Sequence, residues 1–147
     1  MKVVILLIAF LLTDSTEAIR QFRILNGIDL DKSIIILYHD YASCPKCYTA
    51  PASMIYHLEE NSKIKNYEVI VAIKARTEKQ FKKYREIYGW KGKLITEDDR
   101  FRKQINIRNN ILLVVIDKNN NVNFKATDSD CSNKFSETYN KLVLALK

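Results

Sequence analysis

Ser33-Ile-Ile-Ile-Leu-Tyr38-His39-Asp-Tyr-Ala-Ser-Cys44-Pro45-Lys46-Cys47-Tyr-Thr-Ala-Pro51 is the stretch on which the reading of the whole chain depends. It opens on a short, unbroken and largely β-branched apolar run, Ile34 to Tyr38, the pattern of a strand buried on both faces. A few small and polar residues follow, then two cysteines three positions apart. Beyond Cys47 the apolar residues Tyr48, Ala52, Ile55 and Leu58 fall at helical spacing. The expected order is strand, loop, and a helix to about Asn61 whose first turn carries Cys-Pro-Lys-Cys. Pro45 suits the first helical position, where its missing N–H loses no partner. Cys44 then stands at the N-cap, where free N–H groups and the helix dipole favour a thiolate. Cys47 lies one turn on, within reach of a disulfide, and Lys46 adds a cation beside the pair. These residue types at this spacing suit the making and breaking of disulfides.

Outward from that stretch, the chain reads as one domain. Its 147 residues suffice for a proper core, and 47% are hydrophobic and 28% charged, as in a globular protein. Three glycines and two prolines leave no linker, low-complexity stretch or repeat. The N-terminus reads as a signal peptide over 1–18: a minimal basic start, an apolar run from Val3 to Leu12, and a polar exit with Thr16 and Ala18 at the small positions a signal peptidase reads. The run is shorter than the ~20 residues a bilayer span takes. A buried first strand or an uncleaved anchor is the duller alternative. Cleavage after Ala18 leaves residues 19–147, removes Lys2, Asp14 and Glu17, and raises the formal charge from +7 to +8. The expected location is secreted or periplasmic, an oxidising compartment where three cysteines mean one pair and one left over.

Ile19 to Leu30 is weakly patterned, a short strand or a helix ending near Gly27. Tyr67 to Lys74 reads as a second strand, which makes a right-handed βαβ unit with the first. Thr77 to Tyr88 is an amphipathic helix capped by Thr77, facing inward through Phe81, Tyr84 and Ile87, and stopped by Gly89. Leu94-Ile95 reads as an edge strand, and Asp98 or Asp99 opens a brief helix through Ile105. Ile111 to Ile116, the turn Asp117 to Asn121 and Val122 to Ala126 form a hairpin. A last helix from about Ser132 carries Phe135, Tyr139, Leu142, Val143 and Leu146 on one stripe.

This order, β-α-β, a helical insert, a β-hairpin and a final helix, with Cys-x-x-Cys opening the first helix of the unit, resembles the thioredoxin-like superfamily. The insert over Thr77–Tyr88, and the Val114-Val-Ile-Asp117-Lys-Asn-Asn-Asn-Val122 segment after it, resemble the redoxin branch with its extracytoplasmic thiol–disulfide oxidoreductases of the cytochrome c maturation type. The resemblance implies an α/β three-layer fold with a central mixed sheet. It also implies disulfide exchange through Cys44 and Cys47 with protein thiols or disulfides and a redox partner protein, with no cofactor beyond the thiols. Some residues depart from the family. Ser43 stands where an aromatic residue is usual, and Ile111, after Asn110, stands where a cis-proline is usual. A non-proline cis bond is costly, so that loop is expected to be trans. Tyr41 occupies the position of the peroxiredoxin Thr or Ser, which argues against peroxidase chemistry.

Duller readings stand beside these. Cys44 and Cys47 could form a permanent structural disulfide on a redox-inactive binding or scaffold protein, or half of a metal site. A zinc site would have only Cys131, His39 and His57 left to draw on, and no metal is expected. His39 either assists proton transfer near the pair or simply packs. Cys131, at the start of the last helix, is a candidate third thiol. The cationic run Lys74, Arg76, Lys79, Lys82, Lys83, Arg85, Lys91 and Lys93 reads first as a solvated face, and nucleic acid is not an expected partner. No membrane span is expected once the leader is removed.

Overall fold

The structure is a computed structural model and describes residues 14–40 and 49–147. Strands β1 (Ser33–His39), β2 (Tyr67–Ile73), β3 (Lys93–Thr96), β4 (Ile111–Ile116) and β5 (Val122–Thr127) form one sheet in the order β3-β2-β1-β4-β5. β1 pairs parallel with β2, and β2 with β3, whereas β4 runs antiparallel to β1 and β5 antiparallel to β4. The sheet is mixed, with β1 at its centre.

Because side chains alternate along a strand, β1 feeds two cores at once. Ile35 and Leu37 face one layer, built from α2 (Thr49–Asn61), α3 (Glu78–Tyr88), α5 (Asp128–Asn133) and α6 (Phe135–Ala145) through Met54, Leu58, Tyr84, Cys131 and Leu142. Ile34, Ile36 and Tyr38 face the other, built from α1 (Ser15–Leu25) and α4 (Asp99–Gln104) through Ile19, Phe22, Phe101 and Ile105. The apolar run of β1 is buried on both sides, as its composition predicts.

The cap residues set the helix bounds. Thr77 and Gln80 form a capping box at the start of α3, and Gly89 ends it in the left-handed conformation at φ 63°. Asp98 caps α4 through the N–H groups of Arg100 and Phe101. In α3 the buried face is Phe81, Tyr84 and Tyr88. Ile87, expected on that face, is 55% exposed, because its position turns it away from the sheet. The C-terminal helical segment is two helices rather than one. Thr127 and Asp130 form a second capping box that starts α5 four residues before Ser132, and the chain breaks at Lys134 before α6.

The weakly patterned segment is a helix, α1, and it starts earlier than expected. Asp14 caps it by accepting from the Thr16 N–H at 3.4 Å, and Ala18 and Ile19 are both buried. The Ala18–Ile19 bond, where leader cleavage is expected, thus lies inside this helix. At the far end Arg23 is fully buried. Its Nε donates to Asn120 Oδ1 at 2.8 Å, Nη1 to the carbonyls of Asp29 and Lys32 at 2.8 and 2.9 Å, and Nη2 to the Asp117 carbonyl at 2.7 Å. One guanidinium fixes α1 to the hairpin turn and to the loop that leads into β1. Among the described residues no helix is long and apolar enough to cross a membrane.

Candidate functional site

The carboxyl ends of β1, β2 and β3 meet the start of β4 and the end of β5 at one edge of the molecule, the side on which open α/β sheets bind ligands. β1 ends at His39, and the helix α2 is described from Thr49. Cys44, Pro45, Lys46 and Cys47 belong to the connection between them and lie outside the described residues. The surroundings of that connection are described.

A cleft of about 610 Å³ opens at this edge, lined by Tyr38, Asp40, Lys74, Arg102, Asn109, Asn110 and Thr127 among others. Asp40, the last described residue before the cysteines, forms one wall and is 3.5 Å from Lys74 Nζ. Asn109 and Asn110, both exposed, line the cleft too. They immediately precede Ile111, the position at which the resemblance leads one to expect a proline. No peptide bond among the described residues is cis, and the Asn110–Ile111 bond is trans as expected.

The segment Asn106–Ile111 is shaped from below by Arg102, which is 3% exposed. Its Nη1 donates to Glu97 Oε1 at 2.8 Å, and its Nη2 donates to the carbonyls of Arg108 at 2.6 Å and Ile111 at 3.0 Å. The guanidinium carbon stands 4.0 Å from the centre of the Tyr38 ring, a cation–π contact. Glu97 is itself nearly buried and donates its backbone N–H to the Ile73 carbonyl at 2.8 Å, so the ends of β2 and β3 are tied to the same pair. Asn106 enters the segment at φ 55°, in the left-handed region, where asparagine is among the better tolerated residues.

On the other face of β1, His39 is buried, with Nδ1 3.0 Å from the Tyr84 hydroxyl and the Tyr88 ring edge-on at 4.9 Å. Burial lowers its pKa to about 4, Asp40 opposing only in part. The imidazole is therefore neutral at physiological pH; it packs against Tyr84 and Tyr88 and also lines the cleft. Cys131 is also buried, in the core layer beside α2 and α6. Burial, reinforced by Asp130 and Asp128, pushes its thiol up to about 12. A thiol so protonated is a poor nucleophile. His57 is on the exposed face of α2 against Tyr139. Among the described residues no three His, Cys, Asp or Glu side chains gather as a metal site requires.

Neither Arg102 nor Glu97 stood out in the sequence. The available signal was one of two arginines flanking Phe101, at the end of a short helix that leads to Ile105. An arginine between core positions is either a helix-surface residue or a buried one with partners, and only the fold tells which. The sequence places Tyr84 on the inward face of its helix; its hydroxyl meeting His39 depends on how α3 packs across the end of β1.

No protein-family model and no curated protein matches the chain. Solved structures do. A thioredoxin-like protein from Porphyromonas gingivalis superposes with a TM-score of 0.59 at 13% identity, over 81% of this chain and 78% of that one. The fold is thioredoxin-like. The thioredoxin domain of a thiol-disulfide oxidoreductase from Bacteroides vulgatus gives 0.54 at 12% identity, over 80% and 81% of the two chains. A thiol:disulfide interchange protein of the thioredoxin family from Chlorobium tepidum gives 0.53 at 16% identity, over 80% and 83%. On this thioredoxin-like frame β1, α2 and β2 are the expected βαβ unit, α3 is the expected insert, and β4, β5 and α6 are the closing hairpin and helix.

Proposed function

We propose that the chain is an extracytoplasmic thiol–disulfide exchange protein acting through Cys44 and Cys47. The supporting observation is the βαβ unit itself: a Cys-Pro-Lys-Cys sequence falls in the connection between the carboxyl end of the central strand and the following helix. Thiol–disulfide oxidoreductases are among the proteins that share the fold.

In the reducing direction the Cys44 thiolate attacks one sulfur of a substrate disulfide. The substrate S–S bond breaks, the departing sulfur takes a proton, and a mixed disulfide joins Cys44 to the substrate. The Cys47 thiolate then attacks the Cys44 sulfur, releases the second substrate thiol, and closes a Cys44–Cys47 disulfide. Two electrons pass to the substrate, and the steps run backwards when the chain oxidises a dithiol. The reaction needs no cofactor, and its partners are protein thiols or disulfides together with a redox protein that resets the pair. Residues 1–18 supply the export signal in this reading. The cleft lined by Asp40, Asn109 and Asn110 is where the partner's chain docks.

One observation favours a second reading. With Ile111 in a trans loop where the family resemblance leads one to expect a cis-proline, the pair could be a fixed bridge on a binding protein. Redox titration of the pair separates the two. Exchange predicts a potential among known exchange catalysts, about −120 to −270 mV, and a structural bridge one below about −300 mV.

A further inference from the structure

Arg102 sits beneath the rim of the cleft and is ion-paired, buried, and bonded to two backbone carbonyls of one surface segment. Burying an ion pair brings little net stability, because desolvation offsets the attraction; an apolar pair of similar volume commonly does as well. What this pair does uniquely is geometric. Glu97, held to the end of β2 by its backbone, orients the guanidinium, and the other side of the fork takes the Arg108 and Ile111 carbonyls together. The Tyr38 ring closes the remaining face. The guanidinium thereby reinforces the turn that carries Asn109 and Asn110, which the Ile111 N–H closes by donating to the Arg108 carbonyl at 3.0 Å.

We propose that Arg102 is a positioning residue for substrate recognition: through its paired carbonyls it shapes the Asn109–Ile111 segment into the wall against which a polypeptide substrate docks. The proposal rests on the exchange reading and adds to it the separation of two substrate classes. A small disulfide needs only the thiols, whereas a polypeptide disulfide also needs the rim. Disrupting Arg102 therefore raises KM for a polypeptide far more than it slows a small molecule.

The test uses the full chain in two reactions, reduction of insulin and of bis(2-hydroxyethyl) disulfide. In each the dithiol is oxidised, the substrate disulfide becomes two thiols, and dithiothreitol restores the pair. The variant is Arg102→Met combined with Glu97→Gln, so that no lone carboxylate stays buried. The expected result is a KM for insulin raised about ten-fold, with kcat and the small-disulfide rate changed by less than about three-fold. Arg102→Lys, which keeps the charge but cannot bridge both carbonyls, should show the same split more weakly and carries the test if the double variant does not fold. Equal losses on both substrates, or none on either, overturn the role of Arg102 while leaving exchange intact. A wild-type chain inert toward both disulfides overturns the exchange reading and this proposal with it.

Discussion

His39 Nδ1 lies 3.0 Å from the hydroxyl of Tyr84, so the last residue of the central strand is fastened to a helix 45 residues further along the chain. Burial holds the imidazole neutral, its pKa down to about 4 from an ordinary 6.5. Between those values the unfolded chain binds a proton that the folded chain excludes. Stability from this residue is therefore complete above about pH 6.5 and is lost as pH falls towards 4, at up to about 1.4 kcal/mol per pH unit. Urea unfolding across that range should show the slope, and His39→Phe should flatten it. The same pH dependence in both proteins would remove His39 as its source.

Arg23 gives the largest expected loss of stability. Replacing it with leucine leaves the carbonyls of Asp29, Lys32 and Asp117 and the Asn120 side chain without their donor, at a cost of roughly 3–5 kcal/mol. Lysine should not rescue it, because a single ammonium cannot span four acceptors. Equilibrium urea unfolding measures the loss, and a change below about 1 kcal/mol would contradict the role assigned to this guanidinium.

Cys131 should behave as core. In the folded protein at pH 8 it should resist iodoacetamide and stay out of every disulfide under graded oxidation, and in urea it should alkylate freely. Peptide mapping by mass spectrometry reads both. A Cys131 disulfide with Cys44 or Cys47 would contradict this and establish the third-thiol role.

The first turn of α1 sets a test of the leader. A bond inside a packed helix is poorly accessible to a peptidase, so cleavage after Ala18 has to precede the docking of α1. A chain beginning at Ile19 lacks the Asp14 cap and the buried Ala18. It should be less stable than one beginning at Asp14 by about 1–2 kcal/mol. N-terminal sequencing of exported protein should read Ile19, and a first residue at or before Asp14 would move the boundary to the start of the helix.

Much of this fold is legible in the sequence because local and long-range signals agree. Ile34 to Tyr38 can only be a strand covered on both faces, and Thr77, Gln80 and Gly89 bracket α3 by their own hydrogen-bonding and φ preferences. Where the signals divide, the sequence misleads. Ile87 has helical spacing but falls on the wrong side of α3, since the stripe bends toward Tyr88 to meet His39. The Thr127 capping box sits at the end of a strand, where β-branched threonine also belongs, and so a second helix start went unread. The cysteine motif is legible by spacing alone. The Arg102–Glu97 brace is not, because its meaning comes from which carbonyls lie above it.

The central claim is that Cys44 is the attacking thiol of an exchange protein, and trapping tests it most directly. Incubated with oxidised glutathione or a disulfide-bonded polypeptide, a Cys47→Ser chain should accumulate a mixed disulfide, located by mass spectrometry on Cys44. A Cys44→Ser chain should accumulate little or none on Cys47, which is expected a turn inside the helix and away from its free N–H donors. Adducts on Cys47 in place of Cys44, or on neither, would contradict the claim.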